Sequence, residues 1–418
     1  MLRSPRRAAV LLVAAVSCAR TPAPAPGVPA PAAARANATA QGSLRAPGPP
    51  RASGLDRVRP PPPPCLPGHP YAAPTSLASR AFAELDAGAN ERALGCAEEA
   101  QRLAPRLVPA LAARAEALAA LGRLDEARLA FARALAVDPD DPETLLGASE
   151  LYVRRLGGER DALEAGLEYA ARGARSAARG ARRDRDLAAR LELVAGMAEN
   201  DLGHSHLALQ HLDRAAAARA ADPDVAYERG LALYELCRFP EAQRAFERAL
   251  QLAPEDPWAM HQLGLVYERR GDAKRAEAWL ARARSRAPAE FRSELPVDEV
   301  AFKQELAAAV SALPEPERRA LERVPVEVQD LPDTGDLLAV DPPLSPSILG
   351  LFRGPSEDET CAPADGPRCR AIVVYRKNLI RFARDRKELA EQVRVTLLHE
   401  LGHLHGESDD ELRARGLE

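Results

Sequence analysis

Apolar and small residues recur at helical spacing through most of the chain, and between residues 76 and 288 a period of 34 is laid over that spacing. Gly88 returns as Gly122, Ala93 as Ala127, Ala100 as Ala134 and Pro105 as Pro139. Further along, Ala242 returns as Ala276, Ala249 as Ala283 and Pro254 as Pro288. A fixed period of this kind predicts stacked supersecondary units, none of which can bury its apolar face alone. After residue 292 the pattern changes. Phe302, Leu306, Ala309, Val310 and Leu313 predict a helix over 298–313. Residues 324–328 and the β-branched run 371–375 predict strands. The run 371–375 is the candidate edge strand, open to an extended substrate, and an interior position suits its sequence equally. Leu389, Val393, Leu397, Leu401 and Leu404 form the stripe of a last long helix. Asp385 is its N-cap, with Glu388 as the reciprocal partner.

The repeating segment resembles the tetratricopeptide repeat, with a small residue at the turn, alanines at the close packing points and proline ending the second helix. Units fall near 76–109, 110–143, 191–224, 225–258 and 259–292. Residues 144–190 read as a degenerate unit with an extra arginine- and alanine-rich helix. The resemblance implies a right-handed α-solenoid over 76–292 whose concave groove takes a peptide or protein partner. A spacer or dimerisation surface is the plainer use of such an array. His204, His206 and His211 lie on one predicted helix pair and read as surface or packing residues.

Chemistry concentrates in the last predicted helix. His399, Glu400, His403, Gly406 and Asp409 spell H-E-x-x-H-x-x-G-x-x-D. Imidazoles four apart share one helix face and can reach a single Zn²⁺. Gly406 can take φ > 0 and turn the chain back. Asp409 is then placed to give a third, oxygen ligand, with Glu407 and Glu411 as chemically possible rivals. His405 points off the shared face. A fourth position stays open to water, as a catalytic zinc site requires. Glu400 follows the first ligand and is placed to act as general base. The predicted reaction is peptide-bond hydrolysis.

Residues 297–413 resemble the small bacterial zincin-like metallopeptidases, sometimes called minimal zincins. Besides the motif, Ile348-Leu349-Gly350-Leu351-Phe352 is similar to that family's Leu-Gly-Leu-aromatic segment, and 371–376 to the strand before its active helix. The resemblance implies a small α+β zincin-like domain over 297–418. It implies His399, His403 and Asp409 as zinc ligands and Glu400 as base. Gly402 and Leu404 inside the motif, and an insertion around Cys361 to Cys369, depart from the family pattern. The fold class is therefore multidomain: an all-α solenoid followed by a small α+β domain. A non-catalytic envelope scaffold with an inactive zinc-binding domain is the alternative function.

At the other end, Arg3, Arg6 and Arg7 precede the apolar run Ala8 to Val16. That run is too short for a membrane span and reads as a secretory signal over 1–18. Ala15-Val16-Ser17-Cys18 resembles a bacterial lipoprotein lipobox, which implies lipidation at Cys18 and a membrane-anchored envelope protein; ordinary cleavage and export is the alternative. Residues 19–75 contain sixteen prolines, so this stretch is predicted to be an extended tether without a core. Of six cysteines, Cys361 and Cys369 share a loop and can bridge in an oxidising compartment. Cys96 and Cys237 read as packed thiols, and no CxxC pair marks a structural zinc finger. A net charge of −4 and 4% aromatic residues give no nucleic-acid footprint.

Overall fold

The computed structural model describes residues 73–179, 184–361 and 369–417. The expected signal, Cys18 and residues 19–72 of the expected tether lie outside them, while Pro74 and Thr75, placed in the tether by the sequence, open the first helix. Twelve helices in six antiparallel pairs come first: α1 (Pro74–Asp86), α2 (Asn90–Leu103), α3 (Val108–Ala120), α4 (Leu124–Val137), α5 (Pro142–Glu150), α6 (Arg160–Ala177), α7 (Arg185–Asp201), α8 (Ser205–Ala218), α9 (Pro223–Glu235), α10 (Phe239–Leu252), α11 (Pro257–Arg269) and α12 (Ala273–Arg286). The repeated alanines are where the helices close on one another. Ala93, Ala100, Ala127, Ala134, Ala242 and Ala249 are each 0% exposed. Aspartates open many of the helices: Asp141, Asp184, Asp222, Asp256 and Asp272 each accept from a free backbone N–H of the first turn.

Between the two helices of a pair, Gly88, Gly122, Gly203 and Gly271 hold φ of 71–83°. This left-handed turn is open to glycine at no steric cost. Residues 144–190 contribute one more pair, not a pair plus an extra helix. The π-helical turn Leu151–Arg155 extends α5, and much of the arginine- and alanine-rich stretch lengthens α6 to 18 residues.

The C-terminal part contains α13 (Glu299–Ala312), α14 (Glu315–Arg323), β1 (Val326–Gln329), the short α15 (Thr334–Leu337), β2 (Gly350–Arg353), β3 (Ala371–Tyr375), α16 (Arg376–Phe382), α17 (Arg386–Leu404) and α18 (Asp409–Ala414). The sheet runs β1-β3-β2, with β1 parallel and β2 antiparallel to β3. The run 371–375 therefore takes the centre, and all five of its residues are buried. An interior strand covered on both faces needs no polar alternation, which is why its sequence reads as continuous apolar. The edge beside the motif helix belongs to β2.

Ile372 and Val374 pack on Leu389, Val393, Leu397 and Leu401 of α17 and on Phe302 of α13. Val373 and Tyr375 face the other way, onto Leu337, Leu344 and Ile348. Asp385 caps α17 by accepting from Glu388 N–H. Glu388 returns to the N–H of Arg384 instead of that of Asp385, so the expected reciprocal box is displaced by one residue. Cys361 and Cys369 are bridged. Cys96, expected as a packed thiol, is also disulfide-bonded.

Candidate metal centre

The last two turns of α17 carry the motif on a buried face. His399 and Glu400 are 6% and 5% exposed. The helix stops at Leu404 because Gly406 adopts φ 81°, and Glu407 N–H then returns to the carbonyl of Gly402 at 2.9 Å. Ser408 caps α18 in a reciprocal box with Glu411. Asp409 is the first residue of α18, and the turn swings it back over the histidines.

Three donor atoms converge. His399 Nε2 and His403 Nε2 are 3.1 Å apart. Asp409 Oδ1 is 3.7 Å from the first and 3.3 Å from the second. Ligands at about 2.0–2.1 Å around a tetrahedral ion stand roughly 3.3 Å from each other, so these spacings fit Zn²⁺. Protonation supports the same fit. His399 Nδ1 donates to the carbonyl of Leu417 at 2.6 Å, and His403 Nδ1 to that of Glu407 at 3.0 Å. A carbonyl can only accept, so each neutral ring carries its proton on Nδ1 and turns a bare Nε2 inward. Asp409 Oδ1 is buried there without a hydrogen-bond partner. Three lone pairs facing one another call for a cation. Among the described residues this is the one group of three or more His, Cys, Asp or Glu side chains with metal-binding spacing.

The rival ligands are engaged elsewhere. Glu411 closes the α18 box, Glu407 pairs with Arg415, and His405 pairs with Glu357 at 2.7 Å. His204, His206 and His211 pair with Glu199, Asp341 and Glu192.

Glu400 lies between α17 and β2. Burial pushes its carboxyl up to about 7, against the pull of His403 and a hydrogen bond from the backbone of Phe352, while Asp409 adds to the rise. Burial likewise lowers His399. For His403 burial acts the same way, but Asp409, Glu400 and the Glu407 carbonyl outweigh it and raise the ring. Gly350 lets β2 come this close: a Cβ there would meet Thr396 Cγ2 at 2.5 Å and Glu400 Oε1 at 2.9 Å. Leu349 O accepts from Tyr375 N, so alternation leaves the N–H and C=O of Gly350 and Phe352 facing away from β3. Gly402, the unusual residue inside the motif, has a similar use. A Cβ there would meet Leu412 Cδ2 at 2.2 Å, so its absence lets α18 cross α17 closely enough to seat Asp409. Sequence reasoning missed the contributions of Phe352 N–H and of the Leu417 and Glu407 carbonyls, because a main-chain group leaves no mark on residue type.

Residues 321–417 match the family described as zincin-like metallopeptidase. The chain ends in a zincin-like metallopeptidase domain. Two tetratricopeptide-repeat families match upstream of this zincin-like domain, over residues 108–151 and 223–289. Over 38 residues the chain is 50% identical to the human cell division cycle protein 16 homolog, a match covering 9% of this chain and 6% of that protein. Among solved structures it is similar to PilW, a type IV pilus biogenesis factor, with 18% identity over 51% of this chain and 94% of PilW at a TM-score of 0.45. It is also similar to YrrB, a TPR protein with an unusual peptide-binding site, at 19% identity, 46% and 92% coverage and a TM-score of 0.37.

Proposed function

We infer that the chain is a zinc-dependent peptidase in which His399, His403 and Asp409 hold the ion and Glu400 is the general base. The convergence of three lone pairs beside a buried carboxyl carries this reading. When bound, zinc acidifies a water and polarises the scissile carbonyl. Glu400 would accept the water proton and return it to the leaving amine. The outward main-chain groups of β2 other than Phe352 N–H, which serves Glu400, would hold an extended peptide by hydrogen bonds, with little demand on its sequence.

The test uses Glu400→Gln in the full chain. We expect stoichiometric zinc in both proteins and chelator-sensitive peptide cleavage in the wild type alone. A fall of at least about 100-fold is the scale for losing a positioned base. Wild-type turnover by Glu400→Gln refutes the assignment. Zinc without cleavage by the wild type supports a scaffold with an inactive domain instead. The helical array would recruit a peptide or protein in its groove, and lipidation at Cys18 would tether the molecule to an envelope membrane. Mass spectrometry of the mature N-terminus tests that tether, and an unmodified or absent Cys18 removes it.

A further inference from the structure

The turn at residue 237 breaks the array's own rule. At the place in its helix pair where Gly203 and Gly271 stand in theirs, Cys237 holds φ 57°. A side chain there is strained relative to glycine. The Cys237 side chain reaches into the zincin-like domain. Its Sγ lies 3.8 Å from the carbonyl of Leu344, and it packs against the cluster of Leu337, Leu344, Ile348, Val373 and Tyr375. At the end of α9, burial raises the Glu235 carboxyl and the hydroxyl of Ser345, from the loop that enters β2, opposes that rise. Ser345 is 5% exposed, and its Oγ accepts from Ser347 N–H at 3.1 Å.

A second line of contacts runs through α16. Glu268 of α11 takes Lys377 at 3.0 Å and Arg381 at 2.6 Å. Arg381 also donates to Glu294 at 2.8 Å. Between those two cations in sequence, Asn378 donates to the carbonyls of Pro346 and Ile348 at 3.0 and 2.7 Å. The loop 344–348 is thus held directly by α9 and indirectly by α11. It delivers the chain into β2, whose Gly350 and Phe352 meet Glu400.

We propose that Glu235, Cys237 and Glu268 are positioning residues for the candidate active site: the last two helix pairs of the array fix the loop 344–348 and through it set β2 against Glu400. The catalytic purpose of that coupling rests on the peptidase reading; the coupling itself does not. Amide hydrogen exchange on the full chain tests it. Cys237→Gly installs the glycine of the other turns and relieves the strain at residue 237, so α9 and α10 should keep wild-type protection. Residues 349–353 should exchange about five- to tenfold faster, the scale of losing one net contact of hydrogen-bond strength. Glu235→Ala should do the same, and Glu235→Gln, which can still bond Ser345, should restore protection. Unchanged exchange over 349–353 in both Cys237→Gly and Glu235→Ala overturns the proposal, even where the wild type cleaves peptide. Loss of protection across all of 225–292 in both variants also overturns it, since these residues would then serve only the array. If the wild type cleaves nothing while exchange follows the expected pattern, the peptidase reading falls and the coupling stands.

Discussion

Each imidazole of the site gives its Nδ1 proton to a main-chain carbonyl, and this fixes which nitrogen faces Asp409. The histidine pair was legible in the sequence because a spacing of four has one geometric meaning on a helix. Asp409 was legible because a glycine between it and the helix allows the chain to return. The competition from Glu407 and Glu411 was not resolvable from spacing. In the structure Arg415 and the Ser408 box engage those carboxylates, which leaves Asp409 beside the two imidazoles. We predict that Asp409→Ala weakens zinc binding by roughly 100-fold or more, as expected when an oxygen ligand is lost. Competition against a chromogenic chelator measures it; an affinity within threefold of wild type would remove Asp409 from the ligand set.

At the level of elements, the repeat helices were readable because alanine, glycine and proline return with a fixed period, and each has a packing or backbone reason to be where it is. The order of the small sheet was not. An apolar run such as Ala371–Tyr375 looks the same at an edge facing a cleft and at a centre covered on both faces, and only pairing with β1 and β2 decides. Gly402 is a similar case, since inside a helix it reads as a weak point. Its use appears only where α18 crosses. Gly402→Ala is expected to push Leu412 and α18 away and to lower zinc affinity about tenfold, although residue 402 is not itself a proposed ligand. Calorimetric zinc titration checks this, and unaltered affinity would mean that α18 tolerates the displacement.

For the whole molecule, the array contributes a pH dependence of its own. Glu116 of α3 lies with a carboxylate oxygen close to Gly147, and burial, followed by the charge of Glu150, pushes it up to about 7. In the unfolded chain an ordinary glutamate ionises near pH 4.3. Between those values the unfolded state gives up the proton and the folded state keeps it, so stability falls as pH rises from about 4.3 through 7. Glu116→Gln should therefore raise the melting temperature at pH 8 by a few degrees and change it little at pH 4. Equal shifts at both pH values would show that ionisation is not involved. The candidate metal centre is organised differently from such long-range packing. The three side chains proposed as ligands, the proposed base and both carbonyls that orient the imidazoles come from residues 399–417. One cut in the exposed turn at Gly406 would part the imidazoles from their carboxylate while leaving the sheet and the solenoid covalently whole. On the proposed reading, a single peptide bond thus joins the two parts of the ligand set.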